Sequence, residues 1–369
     1  MNERMNEVKE TKCLGDIAVL IPSLDPDEQL VRYVIGLKQA GIQKVIVVDD
    51  GSHEDTQKYF EILKKTEGVT VLRHAVNQGK GRALKTGFHY VLNTYRKEEL
   101  GGVVTADADG QHSVEDTLKA ARCLQAHRES LVLGTRNFKE ENVPFKSRYG
   151  NQITTVVFSL LYGKKITDTQ TGLRGIPYSF LPECLKMEGE RFDFEIVMLI
   201  EAVRRKREIL EVPIQTIYIN SNRATHFRAV VDSAKIYGII FRLFFKFALS
   251  GVLSFLIDIG LFAFFTKAIF PSLASAGAIF WGTLLARICS SLFNFNVNRK
   301  VVFKEKNQAG HALARYYILC AVQMVCSWLL VTFFYKLLHV DTTFLKGCVD
   351  LVLFFISFQI QRLWVYKEN

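Results

Sequence analysis

Short apolar runs separated by polar, glycine-bearing breaks fill the first two thirds of the chain, and long apolar segments fill the rest. Ile17–Ile21 (IAVLI) predicts a strand ending at Pro22-Ser23-Leu24-Asp25, and helical spacing follows from about Glu28 to Ala40, stopped by Gly41. Val45–Val48 predicts a second strand, ending on Asp49-Asp50-Gly51-Ser52, and Val69–Arg73 a third. NQGKGRALKTGF (77–88) reads as a Gly-rich loop opening a helix. Val103–Val104 belongs to a strand that breaks off at Asp107-Ala108-Asp109, and Leu131–Gly134 makes another. This alternation predicts an α/β domain with a mostly parallel sheet and helices on both faces. From about Phe241 the apolar segments reach spanning length, and four spans are expected at roughly 244–268, 273–295, 315–338 and 344–363.

In a parallel sheet the ligand lies beyond the carboxyl ends of the strands, where each polar cluster falls. After the Val103–Val104 strand, alternation sets Asp107 and Asp109 on one side, and Gly110 lets the chain turn so that Gln111 joins them. Three oxygen donors so spaced suit a hard divalent cation, Mg²⁺ or Mn²⁺. A polar loop closing a buried strand is the plainer reading of such a motif taken alone.

The net charge of +10 adds a direction to this picture. The basic residues gather beside the apolar segments, which favours an anionic membrane surface and phosphorylated substrates over nucleic acid. The seven cysteines form no CxxC pair and read as small buried hydrophobes in a reducing compartment. The charged N-terminal MNERMNEVKETK has no apolar core of a signal peptide, so the first domain is expected in the cytoplasm.

Taken together, VLIPSLDPDE, VVDDGS, NQGKGRALKTGF, TADADGQH and LGTRN resemble the family 2 glycosyltransferases of the GT-A fold, in the dolichol- or polyprenyl-phosphate hexose synthase branch. VPFKSRYGN (143–151), TDTQTGLRG (167–175), FDFEIVMLIEA (192–202), EVPI (211–214) and THFR (225–228) extend the likeness. The resemblance implies that Pro22 and Asp25 touch the nucleoside of a UDP- or GDP-hexose donor and that Asp50 accepts hydrogen bonds from its base. Asp49 reads equally as a structural cap. Leu24-Asp25-Pro26-Asp27-Glu28 departs from the family's Asn-Glu and leaves open which acid stands in for it. Gly79 and Gly81 permit close backbone approach, and Lys80 either meets a phosphate or is a solvated lysine in a tight turn. By the same resemblance Asp107, Asp109 and Gln111 carry the metal, and Asp168 and Gln170 stand on the acceptor or sugar side. Arg136, Arg148 and Arg228 are candidates for bidentate capture of a phosphate, the alternative for each being an ordinary surface charge. Glu195 and His226 read as structural and interfacial. A lipid phosphate is already largely ionised near neutral pH, so direct inverting displacement without a dedicated base is expected.

Basic residues alternate with apolar ones over 143–164 and 227–246, as in helices lying along a membrane surface. The reading divides the chain into a cytoplasmic catalytic domain (1–225), a juxtamembrane amphipathic linker (226–242) and a four-span domain (243–369). Arg299, Lys300, Lys304, Lys306, Arg315, Arg362 and Lys367 then place both termini of this multi-pass protein in the cytoplasm. FNVNRKVVFK (295–304) and FQIQRLWVYK (358–367) suggest two related hairpins and resemble the GtrA-like membrane family. Asp258 and Arg287 sit at similar depth in adjacent spans and are expected to pair.

The leading expectation is a membrane-bound transferase moving one hexose to a polyprenyl phosphate, with a homo-oligomer left open. A processive polysaccharide synthase is disfavoured, because Gln361-Arg362-Leu363-Trp364 has the wrong spacing on the wrong domain for that family's QxxRW. A membrane domain that flips the glycolipid or only tethers the enzyme is the reading from a different class.

Overall fold

The computed structural model describes residues 14–138, 145–215, 229–270, 275–304 and 309–366, which fall into two compact units, Met1–Ile240 and Phe241–Asn369. In the first unit β1 (Ile17–Ser23) is buried along its whole length, as its unbroken apolar run requires of a strand covered on both faces. α1 (Glu28–Gln39) follows, opened by Asp27, whose carboxylate accepts from Gln29 N. It closes with Gly41 at φ +97°, Gly41 N donating to Lys38 O and Ile42 N to Leu37 O, the paired bonds of a Schellman stop. Then come β2 (Lys44–Asp49), α2 (Gln57–Lys64), β3 (Val69–Arg73), α3 (Lys80–Thr94), β4 (Gly102–Thr105), α4 (Val114–Ala126) and β5 (Leu131–Arg136). α5 (Phe145–Tyr162), β6 (Arg174–Pro177), α6 (Leu181–Cys184), α7 (Asp193–Arg204) and β7 (Ile209–Ile214) complete the unit's sheet and its cover.

The seven strands run in the order β3-β2-β1-β4-β6-β5-β7. All neighbours are parallel except β6, which is antiparallel to both β4 and β5. The α/β expectation therefore holds, with one reversed strand in the TGLRG segment that apolar patterning did not mark. Ile17, Val19 and Ile21 join α1, α2 and α4 in one core, whereas Leu20 points the other way and meets α3 at Gly87. Pro22 lies inside β1, but β4 pairs only as far as Leu20↔Thr105, so its missing N–H leaves no partner on that edge unsatisfied.

α5 buries Asn151, Thr154 and Phe158 and exposes Tyr149, Ile153, Val156 and Leu160 at helical spacing, an apolar stripe on the unit's surface. α8 (Ala229–Phe264) starts within the expected juxtamembrane stretch and is continuous with the first apolar span.

In the second unit the rest of α8 is followed by α9 (Ser275–Val297), α10 (Ala309–Leu338) and α11 (Thr342–Ile360). Among the described residues four helices are long and apolar enough to cross a membrane: Val231–Ile269, Gly277–Val302, Ala309–Leu338 and Thr342–Val365. The two repeated segments share their backbone form. Each passes from α-helix into a π-helical turn, 298–302 and 361–365, closed by Phe303 N→Asn298 O and Tyr366 N→Gln361 O, both at 2.8 Å. The equivalent amides meet, Asn298 Nδ2 donating to Gln361 Oε1 at 3.2 Å, and the equivalent rings Phe303 and Tyr366 stack with centroids 5.0 Å apart. Asp258 and Arg287 do pair, at 3.3 Å, with Ser290 Oγ donating to Asp258 at 2.8 Å.

Candidate active site

β1 and β2 end side by side, and their turns clamp one another. Asp49 is wholly buried and accepts from Ser52 N (2.8 Å) and Gln57 Nε2 (3.0 Å), which makes it a structural cap. Ser52 Oγ in turn accepts from Asp25 N at 2.9 Å, and Asp25 Oδ1 accepts from His53 N at 2.8 Å. These bonds hold Asp25 at φ +49°, a left-handed position that Asp tolerates better than most side chains. His53 Nδ1 lies 2.9 Å from the same carboxylate, which raises its pKa above the ordinary 6.5. Of the acids around the first strand's end, Asp27 caps α1 and Glu28 pairs with exposed Arg32, so Asp25 is the one turned toward the β2 turn.

Asp50 braces the Gly-rich loop. Its carboxylate accepts from Gln78 N (2.9 Å), Gly79 N (2.7 Å) and the His74 ring (2.7 Å). Gly79 and Gly81 do permit a close approach, and the approaching group is the chain itself. A Cβ on Gly79, at φ +103°, would lie 2.4 Å from Glu190 O, and one on Gly81 2.6 Å from Phe194 Cβ. Glu190 O also accepts from Arg82 N at 3.0 Å, so part of the α3 N-terminus is satisfied within the protein.

β4 delivers Asp107 and Asp109 just past its end, and Ser113, capping α4 and bonded to Asp116 N (3.0 Å), fixes the far side of that loop. Gln111 N donates to Asp109 Oδ1 at 3.1 Å. Lys80 Nζ lies 2.6 Å from Asp107 Oδ1 and 2.9 Å from Glu195 Oε1, and His112 Nε2 lies 3.4 Å from Asp107 Oδ2. Burial alone would raise the Asp107 pKa, but Lys80 and His112 outweigh it and hold the carboxyl well below the usual range. For Lys80, burial opposes the charge and the Asp107 and Glu195 carboxylates more than offset it. Among the described residues Asp109 makes no ion pair, and burial together with Asp107 pushes its pKa up against the weaker pull of the Gln111 N–H, His112 and Lys80. Among the described residues no three His, Cys, Asp or Glu side chains gather as a metal cluster, so a cation here would rest on the Asp107 and Asp109 carboxylates, with Gln111 next along the same loop and bonded to Asp109 by its backbone N–H. Oxygen donors with negative charge left to neutralise fit a hard divalent cation.

The Thr167–Leu173 loop packs directly against this centre. Thr105 Oγ1 donates to Gly172 O at 2.8 Å, and a Cβ on Gly172 would lie 2.2 Å from Asp107 Oδ2. Asp168 is fully buried and takes the fork of Arg136, Nε at 2.6 Å and Nη2 at 2.9 Å, plus Gln170 N at 3.1 Å. The bidentate geometry expected of Arg136 toward a phosphate is thus spent on Asp168, while the Gln170 side chain is exposed. Arg174, 1 % exposed, donates to Thr171 O (2.9 Å), Glu195 O (2.5 Å) and Thr169 O (3.3 Å), tying this loop to the start of α7. Arg148 stands in the first turns of α5; Arg228 and His226 lie outside the described residues. Lys80, Asp107 and Glu195 therefore converge, and Arg174 and His112 buttress them. Sequence reasoning passed over Arg174 although TGLRG contains it, and a lone arginine inside an apolar strand was the available signal.

The comparisons agree with this architecture. Residues 20–184 match Glycosyl transferase family 2, and residues 246–366 match the GtrA/DPMS transmembrane domain. The chain is 32% identical to an uncharacterised protein of Methanocaldococcus jannaschii, over 59% of this chain and 86% of that one. It is 31% identical to a UDP-N-acetylglucosamine–dolichyl-phosphate N-acetylglucosaminyltransferase of Methanococcus voltae, over 56% of this chain and 88% of the relative. A dolichyl-phosphate beta-glucosyltransferase of Saccharomyces cerevisiae is 25% identical over 59% of this chain and 71% of its own. The match to family 2 makes the chain a transferase, and the GtrA/DPMS match with its apolar helices makes it a membrane protein. The chain belongs to glycosyl transferase family 2 and carries a GtrA/DPMS transmembrane domain.

Proposed function

We propose that this protein moves one hexose, with inversion, from a nucleoside diphosphate sugar to a polyprenyl phosphate on the cytoplasmic face of the membrane. The observation that carries the reading is the acidic centre at the end of β4, Asp107 and Asp109 with Gln111 beside them, in a chain that continues into four apolar helices. The dolichyl-phosphate transferases among its relatives support the acceptor class.

In this reading Pro22 and Asp25, at the end of β1, meet the nucleoside, and Asp50 offers the base the acceptor capacity that three protein donors leave on its carboxylate. Asp107, Asp109 and Gln111 would hold Mg²⁺ or Mn²⁺, which supplies neutralisation of the leaving diphosphate. Lys80 adds a compact positive charge on the same side. Arg148 and Arg228 take the acceptor phosphate, and the Arg136–Asp168 pair holds the loop that presents Gln170. The exposed stripe Tyr149, Ile153, Val156 and Leu160 lies on the membrane surface. Arg299, Lys300, Lys304, Arg315 and Arg362 keep their ends of the spans cytoplasmic. The acceptor arrives ionised, so the residues position it more than they deprotonate it.

The test is transfer from labelled UDP- and GDP-sugars to undecaprenyl phosphate in detergent, with Mg²⁺ or Mn²⁺, with EDTA, and with Asp109→Asn. One mild-acid-labile glycolipid, formed with metal and lost by at least about a hundredfold with EDTA or in the variant, is expected. Product at full rate in EDTA defeats the metal assignment, and folded, nucleotide-binding protein inert toward every donor defeats the lipid-phosphate assignment.

A further inference from the structure

Lys80 occupies the place where a cation would satisfy Asp107. Its ammonium bridges Asp107 Oδ1 at 2.6 Å and Glu195 Oε1 at 2.9 Å, and its side chain is 16% exposed, against 25% and 9% for the two acids. The Phe192 ring stands 5.8 Å from the same nitrogen. Asp107 and Glu195 share the one lysine charge, and among the described residues Asp109 makes no ion pair with it. A divalent cation on Asp107 would lie close to the ammonium, and like charges so near one another at a partly buried site repel strongly. The two cations compete for the charge of one carboxylate. Lysine's flexible four-carbon stem allows the ammonium to move, and Glu195 remains as its second carboxylate.

We propose that Lys80 is a built-in counter-ion for Asp107 that the divalent cation displaces, and that Glu195 is the positioning residue that holds the displaced ammonium. The inference rests on the metal reading above. The exchange keeps the acidic centre folded before metal arrives, and it weakens metal binding until the donor's diphosphate brings further negative charge. Glu195 then has a defined part that its place in the first turn of α7 alone would not suggest.

The test uses the full chain in detergent without nucleotide, with Mn²⁺ binding followed by the electron paramagnetic resonance of the free ion. Lys80→Met removes the competitor and is expected to bind Mn²⁺ about tenfold tighter than the wild type. Glu195→Gln strands the displaced ammonium and is expected to bind Mn²⁺ several-fold more weakly, and the double variant is expected to match Lys80→Met. Lys80→Gln is read in its place if the circular dichroism of Lys80→Met shows misfolding. A merely structural Lys80 predicts weaker binding in every variant. Affinity that is unchanged or lower without the lysine overturns the exchange while leaving the metal site standing. A Glu195→Gln affinity equal to wild type overturns the part given to Glu195. No Mn²⁺ binding in any variant defeats the metal reading itself, and the exchange with it.

Discussion

Gly172 shows how one residue's lack of a side chain shapes the acidic centre. Its position 2.2 Å, in Cβ terms, from Asp107 Oδ2 leaves no room for a methyl group, and Thr105 Oγ1 holds its carbonyl in place. Gly172→Ala is expected to cost about 1–3 kcal/mol by forcing backbone or carboxylate to shift. Thermal unfolding of the full chain, with Mn²⁺ affinity read alongside, checks this. A change in stability within about 0.5 kcal/mol and an unaltered affinity would show that the loop has slack there. At this scale the sequence was only partly legible. Asp107 and Asp109 announce themselves by spacing after a strand, whereas the partner of each charge does not. Arg136 carries the right chemistry for a phosphate, yet it forks onto Asp168, because the loop bearing Asp168 folds back onto the end of β5.

Elements follow the apolar pattern more faithfully. β1, β2 and β3 and the four apolar helices lie where run length and period put them, since burial on both faces or in lipid leaves an unbroken local record. β6 escaped because four residues, one of them a buried arginine, hold too little pattern to register. In the second unit the repeated F-[NQ]-x-[NQ]-R segments become matching α-to-π transitions whose amides, Asn298 and Gln361, bond to each other. A double-mutant cycle of Asn298→Ala and Gln361→Ala should return a coupling of about 0.6 kcal/mol, the scale of hydrogen bonds between membrane helices. Additive losses measured by unfolding in mixed micelles would mean that the two amides stabilise the unit independently.

For the whole molecule, the distribution of charge along the spans predicts an orientation. In a cysteine-free background, His339→Cys should react with a membrane-impermeant maleimide on intact cells, and Lys304→Cys only after lysis. The opposite pattern would put the acidic centre on the far side from a cytoplasmic nucleotide pool and remove the proposed donor route.

The sequence by itself determined the first five strands and the helices that alternate with them, the four apolar spans, the acidic motif after β4 and the family to which the chain belongs. These are properties of period, run length and local spacing, which the backbone reads over a few residues at a time. The tertiary structure alone decided that Lys80 lies between Asp107 and Glu195, that Arg136 closes on Asp168, and that Arg174 ties the Gly172 loop to α7. Such meetings depend on which crossover brings two loops together and on which carbonyls burial leaves to be satisfied. Both are settled only when the whole sheet is assembled.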